Sequence, residues 1–299
     1  MIPLIYIHNG YSWYVPIALI NGKSKSGNNV YYLGGRYGCF VARLLGVKAY
    51  PINHYLKAAN AFAKIYRHHS NLSFDFELFC IQRWFILWEF LESQKINSCI
   101  YIDTDVLLTR SLEAEVEQTS QFGLTFTGYS AHVCFVNRLD AIKQFCQYIM
   151  DLYADPASEA KFREWHQKMI IETGSGGVSD MTLFYWFQKE YPDLLGDYPA
   201  IFGNSSVDVS LEEIQGFKFD KNGFKNLHWN NKKPSAITDD GRLLELSTIH
   251  HQGRSKRIMK ENARKLGFSY FYLTFMTPFF SNTYRCLSKI LKIAKLIKN

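Results

Sequence analysis

The chain has 299 residues, 47% of them hydrophobic and 16% aromatic, which excludes a mainly disordered protein and supplies one large core or two unequal ones. Its formal charge of +7 is unevenly distributed: after Gly253, eleven basic residues face a single acid, Glu261, a local charge of +10 that leaves −3 for the rest. The basicity belongs to the tail, which argues against nucleic acid as a partner of the body.

From the N-terminus, LIYIH (4 to 8) reads as a buried strand, and GYSWYVPIALING as a turn leading into a helix that stops near Gly22. NNVYYLGG gives a second strand ended by glycines, and VKAYPI a third. Apolar residues recur at helical spacing from Tyr55 to Arg67 and from Phe76 to Glu92, with no proline inside. SCIYI then supplies another buried strand, and at its end YIDTDVLLTR places Asp103 and Asp105 one residue apart. Strands alternating with helices predict a mostly parallel sheet covered on both faces, with ligands at the carboxyl ends of its strands.

Further along, FGLTFTG and HVCFVNR predict strands, RLDAIKQFCQYIMDLY and SDMTLFYWFQKEY helices, the latter with Ser179 as N-cap, and GRLLELSTIHH a late strand. No internal repeat is visible, so the expectation is one domain over residues 1–256, with a nucleotide half to about 110 and an acceptor half from about 111, plus a tail over 257–299. In that tail GFSYFYLTFMTPFF is crowded with aromatics. In TYRCLSKILKIAKLIKN, Leu287, Ile290, Ile293, Ala294 and Ile297 share one helical arc and Lys289, Lys292, Lys295 and Lys298 the other. That pattern suits an anionic membrane surface, with docking on the protein itself as the plainer reading.

The six cysteines form no CxxC, and four of them (Cys39, Cys80, Cys99, Cys134) lie in apolar segments, as expected of reduced, buried thiols. MIPLIYIHNG is too short and lacks the basic leader of a signal peptide, and no run approaches the roughly 20 apolar residues of a spanning helix. The expected location is cytoplasmic, attached peripherally to the inner face of the membrane.

A single Asp after a strand usually starts a turn, but two in D-x-D can converge on a hard divalent cation that keeps substrate phosphates in its shell. IHHQGRSK contributes His250, Gly253 and Lys256 directly after a strand: a histidine to complete a metal shell, a glycine for close backbone approach and a lysine to meet phosphate.

Together YIDTDVLL, SDMTLFYW and IHHQGRSK resemble the nucleotide-sugar glycosyltransferases of the GT-A fold, closest to family 8, over about residues 2 to 256. The resemblance implies a Rossmann-like α/β fold in which Asp103, Thr104 and Asp105 form the D-x-D segment. It implies that Asp103, Asp105 and His250 bind Mn2+ (or Mg2+), and that Lys256, with Gly253 beside it, meets the donor diphosphate. It further implies that Asn9 faces the uracil or ribose, Tyr11 stacks on the base, Arg83 contacts the donor, and Asp180 lies near the transferred sugar. The implied substrates are a nucleotide sugar, with UDP-sugar first, and a glycan or lipid-linked acceptor. Asn9 stands where the family usually has an acid, and Met181 where it commonly has Gln, which leaves the base and the stereochemical outcome open.

Plainer readings stand beside these. Asn9 and Tyr11 can shape a turn, Arg83 can pair with a helix neighbour, Gly174, Gly176 and Gly177 can be simply a loop, and His132 and Trp84 can be core residues. DTDVL also resembles the nucleophile loop of haloacid-dehalogenase-like phosphohydrolases, although that loop normally follows the first strand and here about a hundred residues precede it. A third alternative is a non-catalytic, membrane-associated sugar-binding protein.

Overall fold

In the first strand, alternate side chains point to opposite sides, so Leu4 and Tyr6 join one apolar cluster while Ile5 and Ile7 join another. The same division recurs at Ile100 and Ile102 against Cys99 and Tyr101, and at Val133 and Phe135 against Cys134 and Val136. A sheet apolar on both faces must be covered on both, and two cores result. The computed structural model describes residues 2–27, 29–128, 130–198, 207–213, 215–269 and 272–297, without the side chains at 274, 275 and 290–297.

In chain order the elements are β1 (Leu4–His8), α1 (Val15–Ser26), β2 (Val30–Gly34), α2 (Arg36–Leu44), β3 (Lys48–Pro51), α3 (Lys57–Ala63), α4 (Phe74–Gln94), β4 (Cys99–Ile102) and β5 (Val106–Leu108). Then come α5 (Glu113–Thr119), β6 (Leu124–Thr127), β7 (Ser130–Val136), α6 (Leu139–Ala154), α7 (Ser158–Thr173), α8 (Asp180–Glu190) and β8 (Leu195–Asp197). The last group is β9 (Leu227–Asn230), β10 (Lys233–Ile237), β11 (Leu243–Glu245), β12 (Thr248–His250), α9 (Met259–Lys265) and α10 (Thr277–Ile297).

The central sheet has seven strands in the order β3-β2-β1-β4-β7-β6-β8. Only β7 runs against its neighbours β4 and β6; the other pairings are parallel. This is the mostly parallel α/β sheet with helices on both faces that the sequence predicts. Because β2 and β3 extend to one side of β1 and β4 lies on the other, the topology reverses between β1 and β4, where open α/β sheets bind ligands.

Several elements differ from expectation. The Tyr55–Arg67 helix is shorter, a 3-10 turn over Ile52–Tyr55 followed by α3. α1 runs past Gly22, because that glycine lets the helix lie on Tyr6: a Cβ there would fall 2.5 Å from the Tyr6 hydroxyl. The late strand divides into β11, in a three-stranded antiparallel sheet with β9 and β10, and β12, paired with β5. α7 carries no predicted pattern because it is largely solvated, with only Ser158 and Phe162 buried.

The proposed boundary at residue 256 is corrected. Met259, Ala263 and Leu266, at helical spacing, pack into the core with β1 and β2, so α9 belongs to the body despite its basic residues. Beyond it Leu273, Thr277 and Phe280 are buried, the Tyr37 hydroxyl donates to the Phe280 carbonyl at 2.7 Å, and Tyr284 packs on Tyr11 and Tyr37. The first half of the tail is therefore docked on the protein. The expected faces at Ile290, Lys292, Ile293, Ala294, Lys295, Ile297 and Lys298 lie outside the described side chains. Among the described residues no helix is long and apolar enough to cross a membrane.

Candidate active site

The antiparallel pairing of β12 with β5 sets His250 opposite Val106, next to Asp105, and the His251 amide donates to the Asp105 carbonyl at 2.9 Å. Residues almost 150 positions apart are thus joined by backbone hydrogen bonds rather than by side-chain attraction alone. β4 ends at Ile102, and the Asp103 amide donates to the His132 carbonyl at 2.8 Å, so the D-x-D turn is fixed from both sides. Thr104, buried, bonds through its hydroxyl to His8 Nδ1 at 2.9 Å, which ties the D-x-D turn to the end of β1 across the switch point.

A cavity of about 670 Å3 opens there. Asn9, Arg83, Asp103, Thr104, Asp105, Asp180, His250 and Lys256 all line it, so eight predicted site residues from distant parts of the chain meet.

Arg83, on α4, is the hinge of the charge network. Its guanidinium donates to Asp103 Oδ1 at 2.8 Å and to Asp180 Oδ2 at 2.5 Å, with the side chain only 13% exposed. Burial opposes its charge, but Asp103 and Asp180 outweigh that and hold it well above the ordinary arginine value. The Tyr101 hydroxyl also donates to Asp103 Oδ1. Burial raises the Asp103 carboxyl above its usual range, assisted by the like charge of Asp105 and opposed by Arg83.

Asp180 stands at the first position of α8, where Ser179 is the N-cap, as predicted, and its amide donates to the Thr182 hydroxyl at 3.3 Å. The Asp180 oxygens accept from Arg83, from Trp84 Nε1 at 3.2 Å and from the Met181 amide at 3.0 Å. Trp84 is thus a core residue, as its plainer reading has it, and also a support of the site.

Asp105 meets Lys256 Nζ at 2.9 Å and His250 Nε2 at 3.7 Å. Burial pushes its carboxyl up, but His250 and Lys256 together bring it below the usual carboxylate range. Lys256 is also desolvated, yet Asp105 raises it above the ordinary lysine value.

The donor set bears on whether a divalent cation fits. His250 gives its Nδ1 proton to the Val209 carbonyl at 2.5 Å and turns Nε2 toward Asp105, the arrangement that orients a metal-binding imidazole. Five carboxyls (Asp75, Glu77, Asp103, Asp105, Asp180) line the cavity against two cations, Arg83 and Lys256. An anionic diphosphate entering so acidic a site needs a further positive charge, and hard carboxylate and imidazole donors suit Mn2+ or Mg2+. Among the described residues no three such donors already stand as a closed cage, because Asp103 is drawn toward Arg83 and Tyr101.

Two expected residues are elsewhere. Tyr11 does not line the cavity; it packs edge-on to Tyr37 at 5.0 Å and against Tyr284 at 5.2 Å, because α10 folds back over the turn at Gly10. Gly253 faces Glu212, whose carboxylate lies 2.8 Å from where a Cβ would stand and accepts from the Ser255 amide at 2.9 Å. The glycine makes room for this carboxylate.

Other residues were not singled out by sequence. His8 lines the cavity, and burial lowers it to about 4, so it is neutral at physiological pH. Glu77, buried on α4, is pushed up to about 7, first by burial and then by the Asp180 charge. Behind His250, His132 stacks on its ring at 4.1 Å and bonds to the Asp208 carbonyl at 2.8 Å. Asp208 pairs with Lys225, both fully interior, and accepts from the His250 amide at 3.0 Å. Of His8, Glu77, Asp208 and Lys225, only Glu77 had a sequence signal, an acid inside an apolar helical stretch; His132 is the core histidine of its plainer reading. Gly177 is more than loop filler, since a Cβ there would fall 2.1 Å from the His69 carbonyl.

No protein-family model and no curated protein matches the chain. Among solved structures, the glycosyltransferase GlyE of Streptococcus pneumoniae TIGR4 superposes on 94% of this chain with a TM-score of 0.41 and 13% identity. This chain spans 64% of the length of that structure.

Proposed function

We propose that the chain is a metal-dependent glycosyltransferase that moves a sugar from a nucleoside diphosphate sugar, UDP-sugar first, to a glycan or lipid-linked acceptor. The observation that carries this reading is the meeting of Asp103, Asp105, His250, Lys256, Arg83 and Asp180 in one cavity at the switch point between β1 and β4.

In this reading Asp103, Asp105 and His250 hold Mn2+ or Mg2+, which when bound neutralises the charge that grows on the departing diphosphate. Lys256 supplies a fixed positive charge to the same phosphates from a position now spent on Asp105. Asn9, exposed after β1, is within the cavity to meet the base or ribose. Arg83 fixes Asp103 and Asp180 relative to each other, so that one guanidinium sets the distance between the metal end and the sugar end of the donor. Asp180, already accepting three hydrogen bonds, is suited to hold a sugar hydroxyl in a fixed orientation.

Membrane association at the cytoplasmic face is part of the proposal. It is supported by the four tail lysines and by exposed Phe279 and Leu287 on α10. The test of the function is the release of nucleoside diphosphate from UDP-glucose or UDP-galactose in water. A slow manganese-dependent release is expected. Hydrolysis of a simple aryl phosphate with magnesium, trapped by fluoroberyllate, would point instead to the phosphohydrolase.

A further inference from the structure

The segment 208–211 holds His250 at three of its four polar atoms. Its amide donates to Asp208 Oδ2 at 3.0 Å, its carbonyl accepts from the Leu211 amide at 3.0 Å, and its Nδ1 donates to the Val209 carbonyl at 2.5 Å. These bonds place the residue but leave the plane of its imidazole loosely set, because rotation about the last side-chain bond of a histidine is broad and a carbonyl accepts over a wide range of angles. The plane is fixed from behind: the His132 ring lies parallel to that of His250 within 5°, with centroids 4.1 Å apart. We propose that His132 is a positioning residue for metal binding, its ring being the wall that sets the plane of His250 and aims Nε2 at Asp105. The proposal rests on the glycosyl-transfer reading above in taking His250 as a metal ligand.

A wall orients its neighbour only if it is itself held. His132 is buried and engaged at both ring nitrogens: Nε2 donates to the Asp208 carbonyl at 2.8 Å, and Nδ1 is hydrogen-bonded to the Ser130 hydroxyl at 2.9 Å. Asp208 closes the circuit. The residue whose carbonyl holds the His132 ring also holds the His250 amide through its carboxylate, while its own amide donates to Thr248 Oγ1 on β12 at 3.0 Å and Lys225 meets its other carboxylate oxygen at 2.8 Å. Sliding one ring past the other would break hydrogen bonds in a buried place, where polar groups left unpaired are costly.

His132 also reaches the other end of the ligand set, since its backbone carbonyl accepts from the Asp103 amide at 2.8 Å. One residue on β7 thus touches the ring of His250 and the backbone of Asp103, two groups supplied by distant parts of the chain. Core filling alone does not account for a histidine here, because an apolar side chain would occupy the place without taking two ring nitrogens out of water. What a histidine adds is a flat face whose orientation hydrogen bonds can dictate.

The test compares two variants of the full chain. His132→Gln keeps a donor for the Asp208 carbonyl but has no ring, and His132→Phe keeps a ring but has no donor. If His132 only satisfies the core, Gln is the better replacement in every measurement; if it orients His250, Phe is the better replacement wherever His250 is read, whatever the order of the melting temperatures. The first readout is metal-free: in the 15N-histidine-labelled chain, the His250 Nδ1 proton, assigned by its absence from His250→Ala, is expected to be sharp and slow to exchange in wild type. It is expected to persist in His132→Phe and to broaden in His132→Gln. The second is manganese titrated in the presence of UDP, with free Mn2+ followed by electron paramagnetic resonance. His132→Gln is expected to weaken binding about 10-fold, the lower end for a residue that orients a metal ligand, and His132→Phe by less. Melting curves establish folding, and a single folded variant decides against wild type. A His250 proton as sharp in His132→Gln as in wild type overturns the proposal, as does its loss from His132→Phe, or manganese binding that His132→Gln leaves unchanged. Absence of manganese binding by wild type counts against the metal reading alone, because the metal-free proton still reports whether His132 orients His250.

Discussion

Arg83→Met removes the guanidinium that joins Asp103 to Asp180 and replaces it with an apolar side chain. The two ion pairs, at 2.8 and 2.5 Å, are shielded: the carboxylate side chains are 24% and 5% exposed and the arginine 13%. Breaking a buried pair by removing one partner typically costs about 3–5 kcal/mol, because the remaining charge is left desolvated. Here two carboxylates are left, although Trp84 and Tyr101 still donate to them, so a loss of about 4 kcal/mol is expected. Urea unfolding of wild type and variant measures it directly, as a lower midpoint at constant slope. The sign of its pH dependence follows. Burial already raises the Asp103 carboxyl above its unfolded value, and without Arg83 to oppose it the rise is larger. Its contribution is then fully present below the unfolded value and is lost as pH rises through the folded one. The deficit against wild type should therefore be smaller at pH 5 than at pH 8. A variant within about 0.5 kcal/mol of wild type at pH 8 would refute the charge network as described.

Glu77 offers a separate pH test. Its folded value of about 7 lies above the ordinary 4.5, so it contributes stability below about pH 4.5 that disappears as pH rises through 7. Glu77→Gln should consequently stabilise the protein more at pH 8 than at pH 5 in thermal melts; an equal effect at both would contradict the burial argument. For the tail, a chain ending at Ser288 keeps Tyr284 on Tyr11 and Tyr37 and should melt as wild type does, while losing the four lysines worth about 1 kcal/mol each at an anionic leaflet. Unaltered sedimentation with anionic liposomes would sink the membrane assignment. Removing everything from residue 267 is a poorer test, since it also takes Leu273, Thr277 and Phe280 out of buried positions and should lower the melting temperature. Asp208→Asn leaves Lys225 buried beside a neutral partner, and a loss of about 3 kcal/mol is expected in urea unfolding.

The central sheet was legible because its strands are short apolar runs separated by long helical periods, and the D-x-D segment because two acids interrupt one of those runs. The meeting of His250 with Asp105 was legible from metal-ligand chemistry and from the resemblance, not from secondary structure; the β5–β12 pairing that produces it joins two strands of three residues, too short to announce themselves. Tyr11 was misplaced because nothing local signals that α10 returns to cover it. α9 was misread because lysines and arginines conceal the Met259, Ala263 and Leu266 spacing that buries it. Asp208 and Lys225 carry no motif at all, and their roles arise from what the fold brings beside them.

The most direct measurement of the central claim is the melting temperature of wild type, Asp105→Ala and His250→Ala with UDP, with manganese, and with both. A ligand bound only by the folded state raises the midpoint, so the account predicts a rise for wild type that needs UDP and manganese together and is absent from both variants. A rise with UDP that is indifferent to manganese, or that persists in Asp105→Ala and His250→Ala, would contradict it.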